Sequence, residues 1–207
     1  MSPTPDYWEE AKAYLSKRDK KLGKIIGAYQ GEALELKGKP FETLARSIVG
    51  QQISVKAADS VHRRFVEAVG KVTPDKVANA PAERLRASGL SASKVIYMHA
   101  LAMHFQENKR TIKNWPNMTD AEIIKELTSI KGIGVWTAEM FLLFALGRPD
   151  VFPLLDLGLL KGIYRTYNKG EKMDKAAVVA VGERWRPYRS VGTWYMWRAL
   201  DPVPVAY

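Results

Sequence analysis

Cysteine is missing from this chain of 207 residues. Its absence excludes disulfides, thiolate zinc sites and cysteine-held iron–sulfur clusters, and it agrees with a reducing compartment. Long apolar runs are missing too. The longest, Val135 to Leu146, is interrupted by Thr137 and Glu139. It is too short to cross a bilayer and reads as a buried helix. No apolar signal core stands between Met1 and Glu10. Histidine is scarce. His62, His99 and His104 show neither metal-ligand spacing nor an evident carboxylate partner, and are taken as ordinary surface or interface residues. Alternation of polar and apolar residues is nearly absent, the weak exception lying around Leu34 and Leu36. These absences predict a cytoplasmic protein without a membrane partner.

Positive charge and helical periodicity are abundant. Lys and Arg number 32 against 22 Asp and Glu, a formal net charge of +10. Such an excess suits a polyanionic partner, because cations that neutralise phosphates release condensed counterions. By charge alone, a merely basic soluble protein or an anionic membrane partner also fits. Phe41, Leu44, Ala45 and Ile48 share one helical face, as do Ala58, Val61, Phe65 and Val69, and Val95, Met98, Ala102 and Phe105. Thr73-Pro74 has the form of an N-cap followed by proline at the first helical position. Thr119 with Glu122 forms a capping box, and Asp174 can cap the segment from Lys175 to Arg184. Gly70, Gly89 and Gly147 stand where helix C-terminal glycines belong. The expected class is all-α, as one globular unit or two small lobes. Gly38-Lys39-Pro40 marks the best candidate boundary, between a helical segment at about 6–29 and a block beginning at Phe41. A second seam lies near Gly132–Gly134.

The most informative stretch runs from Leu127 to Ala138. A helix is expected to end near Ile130. Gly132 and Gly134 then allow a tight turn in conformations closed to other residues, and a second helix starts at about Val135. Its free N–H groups and positive dipole end make an anion site. Without side chains on the glycines, a phosphate can approach the backbone, while Ile133 anchors the turn in the core. A plain helical hairpin would explain a lone Gly-Ile-Gly equally well. The whole pattern, with Leu127, Ile130 and Thr137-Ala138, resembles the helix-hairpin-helix element of DNA repair proteins, which grips phosphate and reads no sequence.

Further matches follow in order: Ile48 to Ser54, Asp150-Val-Phe-Pro-Leu-Leu-Asp-Leu-Gly158, Arg184 to Ser190, and Trp194-Tyr-Met-Trp197. Together, over roughly residues 40 to 200, they resemble the 3-methyladenine DNA glycosylase II family of the helix-hairpin-helix glycosylase superfamily. That resemblance implies a two-lobed all-α fold with its active site between the lobes. One lobe would span 41–134 and the other 1–40 plus 135–207, without the N-terminal β-domain of some relatives. It implies double-stranded DNA with damaged bases as partner, a monomer, and no cofactor required for the chemistry. A monovalent cation, Na or K, is implied at the carbonyls of Thr128, Ile130 and Gly132. Asp156 becomes the catalytic carboxylate. By residue type alone it is a plain N-cap, yet a fixed anion is what cleavage of an N-glycosidic bond asks for, since the sugar gains positive charge and the attacking water must be oriented or deprotonated. Many relatives carry two successive acids here, whereas this chain has Leu155 before Asp156. Trp136 stands where lyase relatives place a Schiff-base Lys, which implies a monofunctional hydrolase.

Lesion reading requires an extruded nucleotide. Trp136 and Trp197 match pocket aromatics of the family, whose faces favour a cationic alkylpurine, and Met140 falls at a third pocket position. Trp115, Trp185 and Trp194 are assigned to packing, and Trp8 to nothing. Gln51, Gln52, Lys131, Gly132, Ile133 and Gly134 are the expected DNA contacts, with Gln52 at the wedge position. Arg63-Arg64, Lys169 and Arg184 to Arg189 fit either a phosphate-facing surface or solvated helix faces. Competing readings are a glycosylase for uracil, thymine mismatches, hypoxanthine or ethenoadenine, and a non-catalytic DNA-binding module. An oxidised-guanine lyase is disfavoured by Trp136.

Overall fold

The computed structural model describes residues 4–37 and 39–200. Among them every regular element is helical. Gly38 of the candidate boundary lies outside the described residues, as do 1–3 and 201–207 of the lobe expected at 1–40 plus 135–207. The described residues form two compact units, one continuous from 39 to 141, the other built from 4–37 and 142–200.

The chain begins with α1 (Trp8–Arg18) and α2 (Lys20–Ala28). The possible strand near Leu34 and Leu36 is an irregular segment. It is held by one backbone hydrogen bond, Lys37 N–H to the Phe144 carbonyl at 2.8 Å, and Leu36 packs against Gly147, whose φ is +61°.

The continuous unit starts with α3 (Pro40–Gly50), α4 (Val55–Val69), α5 (Pro74–Ala78), α6 (Ala82–Ala87) and α7 (Ala92–Glu107). Proline opens α3, and the side chains of Ser54, Thr73 and Ser91 cap α4, α5 and α7. Each cap satisfies an N–H group that the helix itself leaves unpaired, a contribution of about 1 kcal/mol. Then come α8 (Lys109–Asn114), a 3₁₀ turn at Trp115–Asn117, and α9 (Asp120–Thr128), whose Thr119–Glu122 capping box is complete. The expected apolar faces are inward, with Leu44, Ile48, Phe65, Met98 and Leu101 sealed from solvent. A run of edge-on rings crosses this core: Phe41 to Phe105 at 5.2 Å, Phe105 to Trp115 at 5.7 Å, Trp115 to Phe141 at 5.1 Å. His104 does have a carboxylate partner, contrary to the sequence expectation. Its Nε2 lies 2.9 Å from Glu126 Oε1, while Trp115 Nε1 donates to Glu126 Oε2 at 2.8 Å. Glu126 comes from α9, too far along the chain for spacing to reveal.

Next is α10 (Val135–Phe144). The break between units falls inside it, after Phe141, where the sequence placed it at the Gly134 turn. Side-chain packing sets that position. Phe141 meets Trp115 of the continuous unit, and Phe144 stacks on Trp197 of the other at 5.9 Å and 9°.

The discontinuous unit is completed by α11 (Leu157–Tyr167), α12 (Lys175–Glu183) and α13 (Arg189–Leu200). α13 is buried from Ser190 to Arg198. It lies so close to α11 that a Cβ on Gly162 would sit 2.5 Å from the Met196 carbonyl. Trp8 meets Trp194 edge-on at 5.4 Å, so all four tryptophans left to packing or unassigned (8, 115, 185, 194) are core residues. Asp19, 4% exposed, ties α2 to this core. Its Oδ1 accepts from the N–H groups of Lys21 and Leu22 at 3.0 and 3.1 Å. Its Oδ2 accepts from Tyr167 Oη at 2.7 Å and Trp185 Nε1 at 3.3 Å.

Burial pushes the Asp19 pKa up, but hydrogen bonds from Tyr167, the Leu22 N–H and Trp185, with the Arg184 charge, outweigh it and hold the carboxyl below its usual range. A group depressed on folding stabilises above its unfolded pKa of about 4 and loses that contribution as pH falls through the folded value. Asp19→Asn is therefore expected to lose about 2–3 kcal/mol at neutral pH, because buried donors lose their acceptor. In urea titrations across pH, the gap to the wild type should narrow below about pH 4; a constant gap would contradict this account.

Candidate active site

Asp156 closes a loop that is clamped onto the start of α13. Ser190 Oγ donates to the Arg148 carbonyl at 2.5 Å and accepts from the Val151 N–H at 2.9 Å. Arg189 makes a fork to both Asp150 carboxylate oxygens at 2.7 and 3.0 Å, and Arg186 adds a 2.7 Å bond. Bidentate geometry of this kind fixes orientation as well as distance. The Asp156 N–H then donates to the Pro153 carbonyl at 2.9 Å, and Asp156 becomes the N-cap of α11.

Two donors converge on one oxygen of that residue. Asp156 Oδ1 accepts from the Leu159 N–H at 2.6 Å and from the Trp197 indole N–H at 2.8 Å. Gly158 makes room for this arrangement, since a Cβ there would lie 3.0 Å from Trp197 Cδ1 and 3.1 Å from Asp156 Oδ1. Asp156 is half-buried, and its neighbours Leu155 and Leu157 are each 69% exposed. A fixed, half-buried carboxylate is thus flanked in the chain by two solvent-exposed leucines.

The other expected pocket residues are distributed differently. Trp197 is only 5% exposed, stacked on Phe144, and what it offers is a donor to Asp156. Met140, expected in the pocket wall, is 1% exposed and faces inward on an α10 that is apolar on most sides. Trp136 is half-buried at the second position of α10. The Arg184 to Arg189 run is committed to structure. Arg186 and Arg189 hold Asp150, and Arg184 lies over the Tyr167 ring at 5.1 Å. Arg64 likewise binds the Ser88 carbonyl and Ser60 Oγ.

In the continuous unit, the hairpin follows α9. Ile133 N–H donates to the Ile130 carbonyl at 3.0 Å, Ile133 is buried, and Lys131 is exposed. Gly132 has φ +93° and rests on the Tyr97 ring, in space a Cβ would share with that ring. Gly134 differs from the expectation. It needs no left-handed conformation, and a Cβ there would meet nothing within 4 Å. Its bareness leaves the first turn of α10 approachable rather than permitting the bend.

The turn between α3 and α4 carries Gln51 and Gln52. Gln52 is exposed with φ +58°, unusual for a residue with a side chain. Gln51 is half-buried, and its Nε2 donates to the Gly132 carbonyl at 2.8 Å. Sequence reasoning placed both on DNA; the structure holds the Gln51 amide against the hairpin. Nearby, Lys94 Nζ donates to the Val49 carbonyl at 2.7 Å, and burial pushes its pKa down. No signal in the sequence linked these elements.

Among the described residues no His, Cys, Asp or Glu cluster could hold a metal ion. A cation at the hairpin would depend on the carbonyls of Thr128, Ile130 and Gly132. Those of Ile130 and Gly132 already accept one hydrogen bond each, and each retains a second lone pair. Neutral oxygen donors of this kind suit a hard cation, so the residues fit one.

A sequence model for the family described as "HhH-GPD superfamily base excision DNA repair protein" matches residues 45–187. The DNA-3-methyladenine glycosylase 1 of Schizosaccharomyces pombe is 34% identical, over 91% of this chain and 86% of its own length. A putative DNA-3-methyladenine glycosylase of Bacillus subtilis is 31% identical over 87% of this chain, which spans 66% of that relative. Among solved structures, a DNA-3-methyladenine glycosidase of Bacillus halodurans superposes with a TM-score of 0.83 at 34% identity, covering 91% of this chain and 88% of that one. A 3-methyladenine DNA glycosylase of S. pombe in complex with abasic DNA gives 0.75 at 31%, covering 91% and 95%.

Gly158→Ala tests the close approach of Trp197 to Asp156. Replacing a helical glycine gains about 1 kcal/mol, while overpacking costs about 1–3 kcal/mol. The indole is buried and stacked on Phe144, so a net loss of about 1 kcal/mol is expected in chemical denaturation. A gain in stability would show that the indole moves freely.

Proposed function

We propose that this chain, which belongs to the HhH-GPD superfamily of base excision DNA repair proteins, is a monofunctional glycosylase that releases alkylated bases such as 3-methyladenine and 7-methylguanine from DNA. The observation that carries the reading is the Asp156 carboxylate, held by the Leu159 and Trp197 donors and flanked in the chain by two exposed leucines. It acts as a monomer on double-stranded DNA in the cytoplasm. No described helix is long and apolar enough to span a membrane.

In the reaction the C1′–N bond breaks and its electron pair goes to the base, which neutralises the charge of an N-alkylated purine. The sugar gains oxocarbenium character, which Asp156 stabilises electrostatically. A water then adds to C1′, and its proton passes to the carboxylate or onward to solvent. The N-cap bond and the indole bond keep the carboxylate in one orientation, so little reorganisation accompanies charge development. Trp136 offers a face suited to a cationic base, and having no amine it forms no Schiff base with the sugar. Gly134 and the first turn of α10 receive a backbone phosphate, while exposed Gln52 fills the space the nucleotide vacates. A monovalent cation, held by the carbonyls of Thr128, Ile130 and Gly132, would add positive charge next to that phosphate.

Asp156→Asn is expected to cut release of methylated bases from alkylated DNA by about 10²–10³-fold, on the scale of losing one preorganised electrostatic group. Binding to an abasic duplex should persist. Unchanged base release would overturn the assignment, as would borohydride trapping of a covalent enzyme–DNA adduct by the wild type. Trp197→Phe keeps the stack and removes the donor. The single-turnover rate should fall about tenfold, the effect of one hydrogen bond to a charged group; an unchanged rate would mean that the indole N–H plays no part in positioning Asp156.

A further inference from the structure

We infer that Gln51 is a positioning residue that couples the wedge turn to the phosphate-binding hairpin, so that insertion of Gln52 and the grip on the backbone occur as one event. The inference rests on the DNA-directed part of the proposed function and assigns Gln51 a role other than direct DNA contact.

Gln51 ends α3 and directly precedes Gln52. Its Nε2 reaches across 81 residues of sequence to the Gly132 carbonyl. The N–H of the same peptide unit, that of Ile133, donates to the Ile130 carbonyl. The Gly132–Ile133 peptide is therefore pinned on both edges, once by the hairpin itself and once by the turn. One helix supports both elements from beneath. Lys94 of α7 holds the last turn of α3 through the Val49 carbonyl. Tyr97, on the same face of α7 one turn later, underlies Gly132. With the turn and the hairpin braced on a common support, the Gln51 hydrogen bond fixes the spacing between them.

Gln52 adopts a left-handed φ of +58° and is exposed. Glycine would take that conformation without strain, yet a long amide side chain stands there, displayed next to the residue that carries the link. An outlier of this type points to function when the surroundings hold it in place, and the Gln51 bond is part of what holds it.

Coupling of this kind distinguishes between DNA substrates. An undamaged duplex with its bases stacked needs only the backbone grip, whereas an abasic duplex offers a vacancy for Gln52 and engages turn and hairpin together. Loss of the Gln51 donor should weaken only the second mode. A direct Gln51 contact with DNA would weaken both.

The test measures affinity of the full chain for an abasic duplex and for an undamaged duplex of the same sequence, at one salt concentration. Gln51→Leu should bind the abasic duplex about five- to tenfold more weakly, the effect of one partly buried hydrogen bond, and the undamaged duplex within about twofold. Gln51→Asn keeps the amide but is one methylene too short. It should match Gln51→Leu, and it serves if the leucine variant folds poorly. Combining Gln51→Leu with Gln52→Ala should cost no more than the larger single change, since coupled residues are non-additive. Equal losses on both duplexes, multiplicative losses in the double variant, or no loss at all would each overturn the inference. If the wild type bound abasic DNA but released no methylated base, the proposed activity would fail while these binding ratios still decided the role of Gln51.

Discussion

The Asp156 carboxylate is fixed through a single oxygen with two donors. Asp156 Oδ1 takes the Leu159 N–H because Asp156 starts a helix, and takes the Trp197 indole because α13 passes close by. Neither bond would suffice without the glycines. Gly158 leaves space for the indole beside the carboxylate, and Gly162, one turn later, lets α11 approach the α13 backbone. The loop before Asp156 is tied to the start of the same α13 through Ser190, Arg186 and Arg189. One helix, buried along most of its length, thus sets where the carboxylate begins and which way it faces. A preorganised anion needs fixing of this sort beyond what a plain helix cap supplies.

Features that depend on near neighbours in the chain were legible from the sequence. The Thr119–Glu122 box, the Thr73 and Asp174 caps, the buried Ile133 and the start of α10 at Val135 all follow from residues within a turn or two. The all-helical class followed from the same local periodicity. What stayed hidden depends on partners brought together by folding. The Glu126 partner of His104 comes from another helix, and the link from Gln51 to Gly132 joins elements far apart in sequence. The place of Met140 came from family resemblance, since an almost wholly apolar α10 gives periodicity nothing with which to tell one face from another. Gly134 illustrates a related ambiguity. Glycine can signify a required conformation or merely an empty place, and only backbone geometry separates the two.

Several arginines are committed internally. Arg64, Arg184, Arg186, Arg189 and Arg198 all hold carbonyls, carboxylates or aromatic faces within the protein. The net charge of +10 still sets a long-range field that draws a polyanion inward.

The division of the chain has a consequence for biosynthesis. One unit is a single uninterrupted stretch, whereas the other needs segments from both ends. On a ribosome the uninterrupted unit emerges whole and can fold while the remainder is still being translated. The first two helices have no such opportunity. Trp8 and Leu15 belong to a core whose other half has yet to be synthesised, so these apolar faces wait uncovered until the residues from 142 on are made. Nascent chains at that stage are where chaperone engagement should concentrate.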